Sequence, residues 1–200
     1  MTLSPDEALA EWSRRHGGYD VSRSRVVRGW LRFVHALATP LARFSPDALS
    51  AAGVVSAAGA AVVPDRRGSA LVVATGLLDG VDGAVARLRG TSSGRGALVD
   101  TTADRITDVL FLLALARCGA RRPLVVAAGA GTAVLEAQRA LLRRRGDPVT
   151  VVSPGERPFR VAYTALGLAT SPSVAAAVVA GTTLAGACAL YGEARKSESS

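Results

Sequence analysis

Apolar residues come along this chain in long blocks rather than in alternation with polar ones, which predicts helices and argues against the strands of a soluble sheet. Residues 48–63 contain no charge, further apolar runs cover 68–78, 106–116 and 123–135, and 161–192 is a stretch of 32 uncharged residues. A membrane-spanning helix needs about 20 apolar residues, or as few as ~17, so the last run is too long for one span. Thr170-Ser171-Pro172-Ser173 divides it, because Pro172 cannot continue one helix but can begin the next. Ser45 and Pro46 mark the start of the first run as N-cap and first-turn proline. The pattern predicts an all-α polytopic membrane protein with six transmembrane helices, at 46–63, 67–88, 95–118, 122–145, 157–170 and 172–192.

Ahead of these spans, Val26, Trp30, Phe33, Val34 and Leu37 fall at helical spacing with Arg23, Arg25, Arg28 and Arg32 on other faces. This predicts a basic amphipathic juxtamembrane helix over 23–44, lying in the membrane interface. The polar residues 1–22 form a cytoplasmic N-terminal segment with a short helix between Ser4 and Gly17, and no secretory signal is visible in them. Residues 45–192 form the membrane domain, and 193–200 a disordered cytoplasmic tail.

Composition supports lipid as the solvent. Hydrophobic residues make up 49% of the chain but aromatics only 4%, so Ala, Val, Leu and Gly supply the apolar surface, as suits close helix packing in a bilayer. The net charge of +8 comes from 23 Arg and one Lys. These residues do not form a single stripe with interleaved aromatics, so nucleic acid is excluded as a partner. They divide unevenly over the implied loops instead. Seventeen fall on the side that holds the N-terminus, the 87–95 loop, the 143–160 loop and the C-terminus; five (Arg66, Arg67, Arg117, Arg121, Arg122) fall on the other. That bias is the positive-inside signature and places both termini in the cytoplasm; a soluble helical interaction protein has no reason to show it. Cys118 and Cys188 lack metal-type spacing and read as buried free thiols.

Against this apolar background four acids stand out. Asp79 and Asp82 lie at i, i+3 on the second span, Asp100 and Asp104 at i, i+4 on the third, each pair on one helix face. The connection between these spans centres near residue 91, so Asp82 matches Asp100 in depth and Asp79 matches Asp104, on the order of 10 Å from the cytoplasmic end. Four carboxylates converging there cannot all stay ionised without cations. Arg87 and Arg105 neutralise part of the charge, and all-oxygen ligands without His or Cys suit Mg²⁺, Mn²⁺ or Ca²⁺ rather than zinc. Gly83 and Gly96 remove side chains beside the acids, where a ligand or a second helix comes close.

The order Asp79, Asp82-Gly83, Ala86-Arg87, eight residues, Gly96, three residues, Asp100, three residues, Asp104 resembles the signature of the CDP-alcohol phosphotransferases at every defining position. The resemblance extends more loosely over residues 23–192. It implies an integral membrane enzyme of phospholipid synthesis, commonly homodimeric, that moves a substituted phosphate from a CDP-linked donor such as CDP-diacylglycerol to an acceptor hydroxyl and releases CMP. By the same resemblance Asp79, Asp82 and Asp100 are the principal ligands of two divalent ions, Mg²⁺ or Mn²⁺. Asp104 completes that site and acts as general base. Asp82, Gly83, Ala86, Arg87 and Gly96 shape the site of the CDP donor. The expected location is the cytoplasmic membrane of a bacterium, with the active site facing the cytoplasm.

On the acceptor side, Arg139, Arg157 and Arg160 return to the cytoplasmic end and suit an acceptor bearing phosphate, such as glycerol 3-phosphate or inositol 1-phosphate. Arg143, Arg144 and Arg145 read as contacts to anionic lipid. Bacterial relatives that use inositol phosphate carry Ser-Tyr-x-Lys/Arg-Ala-Arg where this chain reads Val134-Leu135-Glu136-Ala137-Gln138-Arg139, so Ala137 replaces a basic residue. Asp47 stands where relatives often have Asn, and Asp108 extends the acidic face of the third span, where it is expected to pair with Arg105 or cap a polar cavity. Two other classes remain at this point: a membrane prenyltransferase, which also binds Mg²⁺-diphosphate on Asp-rich helices, and a non-enzymatic divalent-cation carrier.

Overall fold

The structure, a computed structural model, describes Glu7, Ser13 and residues 25–63, 65–90, 94–145 and 153–198. The N-terminal helix expected over 4–17 falls outside the described residues apart from Glu7 and Ser13. Among the described residues all regular structure is helical: α1 (Arg25–Leu41), α2 (Pro46–Val62), α3 (Arg66–Leu88), α4 (Gly94–Arg117), α5 (Arg122–Arg145), α6 (Arg157–Ala169) and α7 (Pro172–Glu198).

Local chemistry sets these boundaries. Ser45 Oγ accepts the Ala48 amide at 3.2 Å at the head of α2, and Asp65 Oδ1 accepts the Arg67 and Gly68 amides at the head of α3. Gly90 after α3 and Gly119 after α4 have φ of 62° and 94°, a backbone region that favours glycine, and so turn the chain out of each helix. The break expected at 170–173 lies between Ala169 and Pro172. At the C-terminus the sequence reading is corrected: the helix does not stop near Gly192 but continues to Glu198, because Glu193, Ala194, Arg195 and Lys196 are strong helix formers that carry it past the glycine.

The chain divides into two compact units, each with its own core. The first comprises 1–55 and 74–106, the second 56–73 and 107–200, so α2, α3 and α4 each contribute to both. In the first unit Val34 and Ala38 of α1 meet Leu49 of α2 and Val81, Ala84 and Val85 of α3. The buried stripe of α1 is thus Val34, Leu37, Ala38 and Leu41, whereas Phe33 faces outward; the side chains of Val26 and Trp30 lie outside the described set. Gly53 of α2 faces Leu78 and Thr75 of α3, and Thr75 Oγ1 donates to its carbonyl at 3.3 Å. In the second unit an Ala-rich core, with Phe111 and Leu115 of α4 at its centre, gathers residues of α2, α3, α6 and α7. There α7 packs on α5 and α6, and Ser56 Oγ donates to the Leu71 carbonyl at 2.9 Å.

Large apolar side chains also point outward, including Val55 (71% exposed), Leu98, Val109, Val126 and Leu166. Such a surface fits a chain solvated by lipid. Among the described residues, the helices long and apolar enough to cross a membrane are α3, α5 and α7 up to Glu193, while α2 is apolar but shorter. The two cysteines are not joined in a disulfide, and neither is buried, contrary to expectation: Cys118 is half-buried and Cys188 is exposed.

Candidate metal and substrate site

In the first unit, α3 and α4 bring three carboxylates together. Asp79, Asp82 and Asp100 each offer one oxygen, and these oxygens lie within 4.8 Å of one another. Oxygens on a single hard cation sit about 2.0 to 2.6 Å from it, so opposed ones lie about 4 to 5 Å apart, and the three-oxygen set fits such an ion in both size and chemistry. Asp82 is the most enclosed, at 3% exposure; Asp79 is half-buried and Asp100 open. Asp104, expected as a fourth member, is not in this group, although its Oδ1 is enclosed. Asp104 stands one turn beyond Asp100 on the same face of α4.

Asp82 is held from two sides. The Gly83 amide donates to its Oδ1 and the Ser50 hydroxyl to its Oδ2, each at 2.5 Å. Sequence reasoning missed Ser50. Its only signal was a hydroxyl four residues after Pro46, within the uncharged stretch 48–63. Of the residues expected to shape the donor site, Gly83 lies against Arg87: a Cβ added at Gly83 would stand 3.4 Å from Arg87 Nη1. Ala86 and Arg87 are half-buried on the last turn of α3, and Gly96 on the first turn of α4.

In the second unit the basic residues form a network with acids. Arg160, 3% exposed, donates through Nε and Nη2 to Asp108 (3.4 and 2.9 Å), through Nη2 to Glu136 (3.1 Å) and through Nη1 to the Gly155 carbonyl (2.7 Å). Arg139 forms a two-pronged pair with Glu156, whose carboxylate also accepts the Ser153 amide. Arg157 donates to Thr107 Oγ1 at 2.8 Å and lies 3.6 Å from Asp108. Asp108 pairs with Arg160 and Arg157, because α6 delivers two guanidinium groups to this part of α4. Three guanidinium groups meet three carboxylates. Arg160 has four of its five N–H directions engaged internally, which makes it a brace of the 153–157 turn.

Removing that brace takes from Asp108 and Glu136 the cation they share and leaves them only the longer pairs to Arg157 and Arg139, at 3.6 and 3.8 Å. Arg160→Met is therefore expected to cost about 3 kcal/mol of stability, read as an earlier thermal transition in detergent. A transition equal to that of the unaltered protein would mean that the network contributes nothing to the fold.

Comparison with known proteins follows the same segment. A family model described as CDP-alcohol phosphatidyltransferase matches residues 45–190. The chain is 44% identical over 97 residues, 46% of its length, to a bifunctional IPC transferase and DIPP synthase of Rubrobacter xylanophilus, covering 21% of that protein. It is 35% identical over 115 residues, 54% of its length, to the archaetidylinositol phosphate synthase of Aeropyrum pernix, covering 59%. The chain thus spans only part of the curated relatives it matches. Among solved structures it resembles the phosphatidylinositol phosphate synthase of Mycobacterium tuberculosis with CDP-DAG bound, at a TM-score of 0.64 and 24% identity, over 80% of this chain and 92% of the other. The same enzyme in complex with manganese and citrate gives a TM-score of 0.63 and 25% identity, over 77% and 87%.

Proposed function

Since the chain belongs to the CDP-alcohol phosphatidyltransferase family, we propose that it transfers a phosphatidyl group from CDP-diacylglycerol to the hydroxyl of an inositol phosphate and releases CMP. The observation that carries the reading is the meeting of Asp79, Asp82 and Asp100 within the family motif. Membership of the family leaves the prenyltransferase and cation-carrier readings without a supporting observation.

Asp79, Asp82 and Asp100 would hold the divalent ions, Mg²⁺ or Mn²⁺, with Asp104 completing the set. Bound there, such ions neutralise diphosphate oxygens and stabilise the leaving nucleotide. Manganese is held by the structurally similar M. tuberculosis enzyme. The chain's own residues supply the rest. Gly83 and Gly96 admit the nucleotide close to the backbone, and Asp82, Ala86 and Arg87 shape the walls of its site, with the Arg87 guanidinium offsetting negative charge. Asp104 accepts the proton of the acceptor hydroxyl as its oxygen bonds to phosphorus and the bond to CMP breaks.

For the acceptor we assign an inositol phosphate over glycerol 3-phosphate, since the chain is similar to an archaetidylinositol phosphate synthase. Arg139 and Arg157 would grip its phosphate, with Arg160 holding the turn that carries Arg157. The loss of one charged hydrogen bond is worth about 1.5 to 3 kcal/mol, so Arg157→Ala is expected to raise the acceptor KM about tenfold or more while leaving the donor KM within about twofold. An unchanged acceptor KM would assign Arg157 to the network alone. Mass-spectrometric identification of the lipid made from CDP-diacylglycerol and an equimolar mixture of inositol 1-phosphate and glycerol 3-phosphate tests the assignment directly. A phosphatidylinositol phosphate is expected, and a glycerophosphate product would overturn it.

The same reading sets α2 to α7 as six spans in the cytoplasmic membrane of a bacterium, with α1 along the interface, the 45–192 region as the membrane domain and both termini in the cytoplasm. The arginine bias over the loops supports that orientation. The protein would act as a homodimer in contact with anionic lipid. A reaction on a polar headgroup then takes place at the lipid surface, with the acyl chains of the donor left in the bilayer.

A further inference from the structure

Both carboxylate oxygens of Asp82 are engaged by protein donors, and the partners differ in kind. Oδ1 accepts a backbone amide from the next residue, which comes with the helix; Oδ2 accepts the hydroxyl of Ser50, which comes from another helix 32 positions earlier. Ser50 is itself buried, at 8% exposure, and its oxygen also lies 3.2 Å from the Pro46 carbonyl, the usual back-bond of a helical serine. One hydroxyl has one proton. The carboxylate is the nearer acceptor by 0.7 Å and carries charge, so the proton goes to Asp82.

This arrangement leaves one lone pair on each oxygen of Asp82 for a cation and fixes which way those lone pairs point. We propose that Ser50 is a positioning residue of the cation site, which orients the Asp82 carboxylate toward Asp79 and Asp100 through its hydroxyl. The proposal rests on the metal-site reading above. Partners that orient a ligating carboxylate change metal affinity about 10- to 100-fold when removed. An alanine at 50 suits the middle of α2 by propensity and removes only the hydroxyl oxygen, so the fold should persist.

The test is a Mn²⁺ titration of the purified full chain in detergent, read by the electron paramagnetic resonance signal of free Mn²⁺ and requiring no turnover. Ser50→Ala is expected to weaken Mn²⁺ binding about 10- to 100-fold, and Ser50→Thr, which keeps the hydroxyl, to stay within about threefold of the unaltered protein. Wild-type affinity in Ser50→Ala would overturn the proposal. So would equal weakening in both variants, which would make Ser50 a matter of packing alone. Should Ser50→Ala not fold, Ser50→Cys, similar in size but a weak donor, takes its place with the same expectation of weakening. Asp79→Asn in the same titration separates the two readings: if Mn²⁺ binding is unaffected by it, the cation site itself is misassigned; if Asp79→Asn loses binding and Ser50→Ala does not, only the role of Ser50 falls.

Discussion

Asp82→Asn is expected to cut CMP release by about a thousandfold or more. The amide keeps the volume of the carboxylate; its oxygen can accept the Gly83 amide and its NH2 can donate to the Ser50 hydroxyl oxygen, so packing is preserved while the charge that would hold a cation is gone. A loss of about 4 kcal/mol in transition-state stabilisation corresponds to that factor. The change also removes a buried negative charge from beside Asp79 and Asp100, so the thermal transition of the metal-free protein should stay level or rise. Quantifying CMP by chromatography, together with a thermal melt in detergent, checks both parts. Activity within tenfold of the unaltered enzyme would remove Asp82 from the site, whereas lost activity with a much earlier melt would make it a structural residue.

Asp104→Asn is expected to behave differently. A general base contributes about 10² to 10⁴ in rate, and its loss should fall on kcat, with donor binding nearly unchanged. The structure gives this separation a physical basis: Asp104 is outside the three-carboxylate group and one turn further along α4. Measured as kcat against the dissociation constant of CDP-diacylglycerol, the variant should turn over at least a hundredfold more slowly and bind the donor within about threefold. Equal loss of binding and turnover would make Asp104 a binding residue and leave the acceptor hydroxyl without a base.

Much of the fold was legible because its boundaries are written in local chemistry. Ser45-Pro46, Gly90, Gly119 and Pro172 act on the backbone within a turn of where they stand, so helices expected from periodicity and those observed agree to within a residue or two at nearly every end. The exceptions are α1, which ends at Leu41 rather than 44, and α7, where a glycine read as a stop is outweighed by the helix formers that follow it. The acids were legible as pairs, since i, i+3 and i, i+4 spacing fixes a shared face. How many meet was not. Three of the four, Asp79, Asp82 and Asp100, bring oxygens within 4.8 Å of one another, and Asp104 follows one turn on.

What the sequence concealed are partners distant along the chain. Ser50 reaches Asp82 across 32 positions, and Arg160 reaches Asp108 across 52. Neither pair has a periodic signature. The basic residues on the acceptor side were visible as charge, but their counter-charges Glu136 and Glu156 were not assigned to them. Three cations meeting three anions make that region a preorganised network instead of an open positive patch, and a phosphate that binds there has carboxylates to compete with.

The central claim is most directly tested by CMP release from the purified full chain in detergent with Mn²⁺, supplied with CDP-diacylglycerol, inositol 1-phosphate, both, or neither. Formation of CMP only when both substrates are present, and its loss in Asp82→Asn, is the result expected. No CMP with both substrates, or CMP formed only from a CDP-alcohol without acyl chains, would contradict the account.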